Sequence, residues 1–188
     1  MARWEPGARD RLGEVAMRLF ADQGFERTTV AEIAEAAGLT ERTFFRHFAD
    51  KREVLFAGQD DFLQLFLEPI DAAPDGTAPY ELIGRSLVAA GAFFTDERRA
   101  FARARAVIIA REPALQEREL AKLATLKTRL GEVFGERGVG EPAATLAAEV
   151  GVMVFHLSFQ QWITKGEKRS MATIAHERLA ALTQLVTE

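Results

Sequence analysis

The stretch TTVAEIAEAAGLTERTFFRHFADKREVLF, Thr28 to Phe56, decides how this chain is read. Thr29 and Glu32 form a capping-box pair ahead of Val30, Ile33, Ala34 and Ala37, so a short helix opens at Thr29 and Gly38 ends it. Thr40 caps a second short helix, Glu41 to Phe48, and Asp50 with Glu53 opens a long one beyond it. Two short helices joined by a glycine-containing turn make a helix-turn-helix. At about 100° per residue, the helix from Glu41 carries Phe44, Phe45 and Phe48 on one side and Arg42, Thr43, Arg46 and His47 on the other. The aromatic side anchors the helix in a small core. The other side offers guanidinium, hydroxyl and imidazole groups suited to a DNA major groove. The first turns after Thr29 and Asp50 present backbone N–H groups to phosphates, with Lys51 as a mobile charge beside the second.

Working outward, the residues before this stretch predict a helix from Ala8 to Gln23, with Leu12, Val15, Ala16, Leu19 and Phe20 on one stripe and Gly24 as its C-terminal cap. After it, apolar residues recur at three- and four-residue spacings and no segment alternates with period two, so the fold class is all-α. Glu68 to Pro79, with Pro69, Pro74, Gly76 and Pro79, reads as a loop. Helices resume near Tyr80 to Phe94, Asp96 to Ala110, Pro113 to Phe134, Pro142 to Thr164 and Ser170 to Val186, which makes about nine in total. An N-terminal three-helix helix-turn-helix module occupies residues 1–52 and a larger helical domain residues 53–188.

Composition sets the outer bounds. The chain has 188 residues, 48% of them hydrophobic and 28% charged, which is ordinary for a soluble globular protein. Cysteine is absent, so disulfides, thiolate zinc sites and cysteine nucleophiles are excluded. Met1 to Gly7 is polar and no apolar run reaches the roughly 18 residues of a membrane span, which predicts a cytoplasmic protein without a membrane partner. The formal net charge is −4, and residues 1–56 carry 9 basic and 10 acidic residues. Affinity for nucleic acid must therefore come from where charges stand rather than from their sum. His47, His156 and His176 fall on separate predicted helices, and neither a nucleophile elbow nor a phosphate-binding glycine loop occurs. No catalytic residue, metal site or cofactor is expected.

Gly24, Phe25, Thr28, Thr29, Ile33, Ala34, Ala37, Gly38, Thr43, His47, Phe48 and Lys51 stand in one spaced pattern. In that pattern the chain resembles the TetR family of transcriptional regulators over about residues 8–56. The resemblance implies a homodimer on a double-stranded DNA operator, with Thr29, Thr43, His47 and Lys51 as contacts, to which the helix from Glu41 and its cap add Thr40, Arg42 and Arg46. Phe45 stands where the family commonly has tyrosine, so the hydroxyl that reaches a phosphate is missing and only packing against the backbone remains. The larger domain would then bind an unidentified small-molecule effector and dimerise through the last two helices. Pro142 to Thr164 reads as apolar and buried all round, lining the effector cavity on one side and packing against a partner subunit on the other, and Ala175, Leu179, Leu182 and Val186 form a seam that completes the dimer interface. Phe62, Phe66, Phe94, Phe101, Ile108, Phe155 and Phe159 are candidate walls of the effector site, with Arg105 and His156 as polar contacts. The implied protein is a repressor on a pseudopalindromic operator, released by the effector. A ligand-independent regulator, an activator, a protein-binding adaptor using the same helix, and a helical enzyme using His156 or Arg105 are the alternatives.

Overall fold

The computed structural model describes residues 7–187, and among them every regular element is a helix. In order these are α1 (Ala8–Gln23), α2 (Val30–Ala36), α3 (Glu41–His47), α4 (Glu53–Phe56), α5 (Gln59–Asp71), α6 (Pro79–Phe93), α7 (Asp96–Arg111), α8 (Pro113–Glu136), α9 (Ala143–Trp162) and α10 (Met171–Thr187). The all-α class with an N-terminal helix-turn-helix is as expected. The long helix expected after Asp50 is instead two pieces. Asp50 caps only the first turn, its Oδ1 accepting from the N–H groups of Arg52 and Glu53 at 2.7 and 3.1 Å. Gly58 then turns the backbone to φ +79°, a left-handed conformation that closes α4 and restarts the chain as α5. The loop expected from Glu68 also begins later, because α5 continues through Pro69 to Asp71. A proline in a last turn costs the helix one hydrogen bond rather than a run of them. Arg137 covers the turn beyond α5, donating to the carbonyls of Ala73 and Pro74 at 2.6 Å each.

Packing divides the chain into two compact units. One holds the described residues up to Ala57 together with Ala104–Glu117, and the other holds Gly58–Arg103 with Arg118 onward. In the first, Leu12, Ala16 and Phe20 of α1, Ile33 of α2, Phe44 and Phe48 at α3, and Val54 to Phe56 of α4 share a core. Ile108, Ile109 and Leu115 complete it from the end of α7 and the start of α8.

In the second unit α6 packs against α5, α9 and α10. At Gly91 an added Cβ would stand 2.8 Å from the backbone of Ala172 in α10. Gly84, on the same face two turns earlier, leaves 3.7 Å to the Leu179 side chain. We expect opposite signs: Gly91→Ala destabilises by about 1–3 kcal/mol through overpacking against backbone. Gly84→Ala is neutral or gains up to about 1 kcal/mol of helix propensity. Urea unfolding of the two variants checks this, and equal effects would place the tight contact elsewhere.

Within the single chain α9 is covered on one face only, the other being the side expected to meet a partner subunit. α9 is long and apolar enough to cross a membrane by length and composition, with mean hydropathy 1.3 over its richest stretch, so the expected absence of any such run does not hold. One face of it, with Ala144, Ala147, Ala148, Gly151, Val154, Phe155, Ser158 and Trp162, lies inside the unit's core. Small residues on this face let α8 come close, the Leu130 side chain lying 3.6 Å from where a Gly151 Cβ would be. The opposite face leaves Leu146, Met153 and Leu157 60%, 43% and 40% exposed. The α10 seam also differs: Ala175 and Leu179 are buried within their own bundle rather than held out for a partner. A 3.6-residue apolar period reports that a face is covered without saying by what. The side chain of Val186 lies outside the described residues.

Candidate nucleic-acid interface

Three local devices build the helix-turn-helix. At the start of α2 the capping box is complete: the Glu32 N–H donates to Thr29 Oγ1 at 3.2 Å, and the Thr29 N–H donates to Glu32 Oε2 at 2.8 Å. That backbone bond, followed by the Thr29 hydroxyl, holds the Glu32 carboxyl below the usual carboxylate range. At the turn, Gly38 sits at φ +66°, the Gly38 N–H donates to the Glu35 carbonyl at 2.9 Å and the Leu39 N–H to the Ala34 carbonyl at 2.8 Å. A side chain with a Cβ is strained there, which explains the glycine. At the start of α3, Thr40 Oγ1 accepts from the Thr43 N–H at 3.2 Å, and the two hydroxyls lie 3.0 Å apart.

The outward face of α3 is narrower and differently composed than the spacing suggested. Phe44 and Phe48 are buried, their rings 5.3 Å apart, but Phe45 is 53% exposed. It therefore leaves the expected aromatic cluster and lies in the exposed arc with Glu41, Arg42 and Arg46. Thr43 and His47 are only half-buried, and His47 Nε2 is enclosed without a hydrogen-bond partner. What α3 presents is Arg42 and Arg46, one turn apart, with an apolar ring between them.

Lys51 is a clamp rather than a mobile charge. Its Nζ donates to the carbonyls of Phe25, Glu26 and Thr28 at 2.8, 3.1 and 3.1 Å, and lies 4.4 Å from the Phe25 ring centre. Three ammonium protons meet three carbonyls, which fixes the loop between α1 and α2. Beside it Arg52 grips Asp50 Oδ2 through Nε and Nη2 at 2.9 and 2.6 Å, which raises the guanidinium above its usual range. A further arginine supports the first unit unforeseen in that role: Arg105 of α7 donates to the Leu55 carbonyl at 2.7 Å and stacks 5.0 Å over the Phe56 ring. Spacing within one helix gives no signal for either contact, since both partners are distant in sequence.

Of the nine residues offered as effector contacts, five gather in the second unit. Phe62, Phe66, Phe94, Phe155 and Phe159 form one chain of ring contacts with centres 4.9 to 6.2 Å apart. Trp162, which was not among the expected walls, joins them 5.5 Å from Phe94. The remaining four stand elsewhere. Ile108 lies in the core of the first unit, and Arg105 is engaged there with Leu55 and Phe56. Phe101 is exposed, and half-buried His156 bonds Gln160 one turn along α9, at 2.9 Å.

Residues 12–57 match the family model for bacterial regulatory proteins of the tetR family. Over these residues the chain resembles the TetR family of regulators. Over 73 residues it is 44% identical to the HTH-type transcriptional regulator TcmR of Streptomyces glaucescens, a match covering 39% of this chain and 32% of that protein. It is 33% identical over 81 residues to the HTH-type transcriptional repressor KstR2 of Rhodococcus jostii, covering 41% and 40% respectively. The likeness to these relatives thus spans 32% and 40% of their length. Among solved structures, the chain is similar in fold to the transcriptional regulator FadR from Bacillus subtilis in complex with stearoyl-CoA. The TM-score is 0.64 at 16% identity, over 92% of this chain and 96% of that one. At that identity the similarity concerns the fold alone.

Proposed function

We propose that this chain is a cytoplasmic, homodimeric repressor that reads a pseudopalindromic operator with α3 and leaves it when a small molecule occupies the C-terminal unit. The observation that carries the reading is the outward face of α3, where Arg42 and Arg46 flank the exposed ring of Phe45. Arginine takes guanine O6 and N7 bidentately in the major groove, and an apolar ring packs against a thymine methyl or the sugar-phosphate backbone. Thr29, Thr40 and Thr43, at the starts of α2 and α3, orient those helix ends toward phosphates. His47 lies at the edge of the same face, and Lys51 acts by holding the loop that positions α2.

A second copy supplies the other half-site. Leu146, Val150, Met153 and Leu157 follow one another at steps of four, three and four along α9, the spacing of a helix-packing seam, and three of them are exposed. Burying this stripe against its twin gives an isologous interface and a two-fold axis. Recognition helices one helical turn of DNA apart, about 34–36 Å, then match two half-sites. The effector favours a dimer geometry that breaks this match, so DNA is released by population shift.

Selection of bound duplexes from a random DNA pool, with the parent protein and with Arg42→Ala, tests the reading. An inverted repeat should emerge for the parent. The variant should lose roughly 5- to 150-fold discrimination at one base pair per half-site, the worth of one bidentate contact. No enriched sequence would mean that α3 docks on something other than operator DNA, and a protein-binding adaptor would take its place.

A further inference from the structure

The core of the second unit contains polar atoms that its own packing leaves unused. Ser158 and Trp162 stand one turn apart on α9, on the same face, and both are fully enclosed. Neither Ser158 Oγ nor Trp162 Nε1 has a hydrogen-bond partner. Folded proteins rarely leave such groups without a partner from their own chain, and two on adjacent turns of one helix require an explanation beyond packing. Arg99 of α7 adds a third. Its guanidinium lies 5.1 Å over the Trp162 ring and its Nη atoms bond Asp96 Oδ1 and the carbonyls of Glu167 and Arg169, while its buried Nε bonds nothing.

The three atoms share a chemistry. An indole N–H and a guanidinium N–H only donate, and a serine hydroxyl donates as readily as it accepts. What they lack is an acceptor. The surroundings are aromatic: Phe94 approaches Trp162, Phe159 and Phe155 at 5.5, 5.5 and 5.8 Å, and Phe62 and Phe66 meet Phe155 at 5.6 and 4.9 Å. Ring edges and faces of this kind favour another planar ring. Phe94 itself is only half-buried and follows the last turn of α6 with non-helical backbone angles (φ −88°, ψ 73°).

We infer that the site takes a planar aromatic molecule carrying an oxygen acceptor, a ring carboxylate or ketone. Its ring displaces Phe94 within the aromatic cluster, and its oxygen receives the Trp162 Nε1–H and the Ser158 hydroxyl, with the Arg99 Nε–H beside them. The inference rests on the reading of the C-terminal unit as the effector domain and names the chemistry of that effector.

Calorimetric titration of the full chain, free of DNA, with 2-naphthoate, naphthalene and lauroyl-CoA tests it. Ser158→Ala is the key variant, because a hydroxyl that bonds nothing in the free protein can be removed without loss of stability. The thermal midpoint should stay put while 2-naphthoate binding weakens on the order of tenfold. Trp162→Phe should weaken binding similarly but also lower the midpoint, because it truncates a fully buried side chain. Naphthalene should bind more weakly than 2-naphthoate to the parent and equally to parent and Ser158→Ala. The assignment falls if 2-naphthoate does not bind, if both variants bind it as the parent does, or if lauroyl-CoA alone binds. Operator affinity without any probe, measured on the same preparations, separates the two readings. DNA binding that persists when 2-naphthoate fails overturns this site and leaves the DNA reader in place, whereas Ser158-dependent binding supports the site whether or not DNA is released.

Discussion

Phe44→Ala and Phe45→Ala, one residue apart, should have opposite consequences. Phe44 is fully buried between α1, α2 and the end of α3, with Phe48 5.3 Å away, so truncating it opens a cavity in a small core. The expected loss is about 3–5 kcal/mol, a large share of the stability of an ordinary domain. The first unit should unfold well before the second in urea, and DNA binding should vanish with it. Phe45 is half exposed, and its removal should change stability by no more than about 0.5 kcal/mol while operator affinity falls. Unfolding curves for the two variants, with binding measured at a temperature where both are folded, decide the matter. A destabilised Phe45→Ala would return that ring to the core.

Lys51→Met should lower stability by about 2 kcal/mol or more, because three carbonyls of the loop between α1 and α2 lose a charged donor. Lys51→Arg should rescue little, since a planar fork cannot converge on three acceptors as an ammonium does. The competing role is a phosphate contact. In that case Lys51→Met leaves stability alone and reduces the slope of log K against log salt by about one. Denaturation together with a salt titration of operator binding tells the roles apart, and a changed slope at unchanged stability would show that the ammonium leaves the loop to meet DNA.

These two residues also show which parts of the molecule could be read from sequence. The capping box at Thr29 and Glu32, the left-handed Gly38 and the Thr40 cap were legible because each is settled within four residues of itself. The all-α class was legible because apolar periodicity is a property of every helix separately. Phe45 was misplaced on the aromatic side for a geometric reason: it lies about 60° from Phe48 and 100° from Phe44, a margin that only the surrounding helices resolve. Lys51 and Arg105 were beyond reach because their acceptors, at Phe25 to Thr28 and at Leu55, lie 23 to 50 residues away. Trp162 went unnoticed among the effector candidates because an enclosed indole at helical spacing looks like core. Only its unbonded nitrogen sets it apart. The α10 seam was read as an interface between copies although Ala175 and Leu179 serve their own bundle.

The core that seats α1 to α4 is closed by Ile108, Ile109 and Leu115, which makes the order of synthesis matter. When Phe56 has left the ribosome, the helix-turn-helix is complete in sequence but its core still lacks one wall. That wall arrives some sixty residues later, about 3–12 s at ordinary elongation rates. During this interval the nascent segment lacks Arg105, which bonds the Leu55 carbonyl and covers the Phe56 ring, and the three apolar side chains that complete its core. A fragment cut at Ala57 would remain in that condition permanently, so a fragment meant to reproduce the first unit's core must bring residues 104–117 with it.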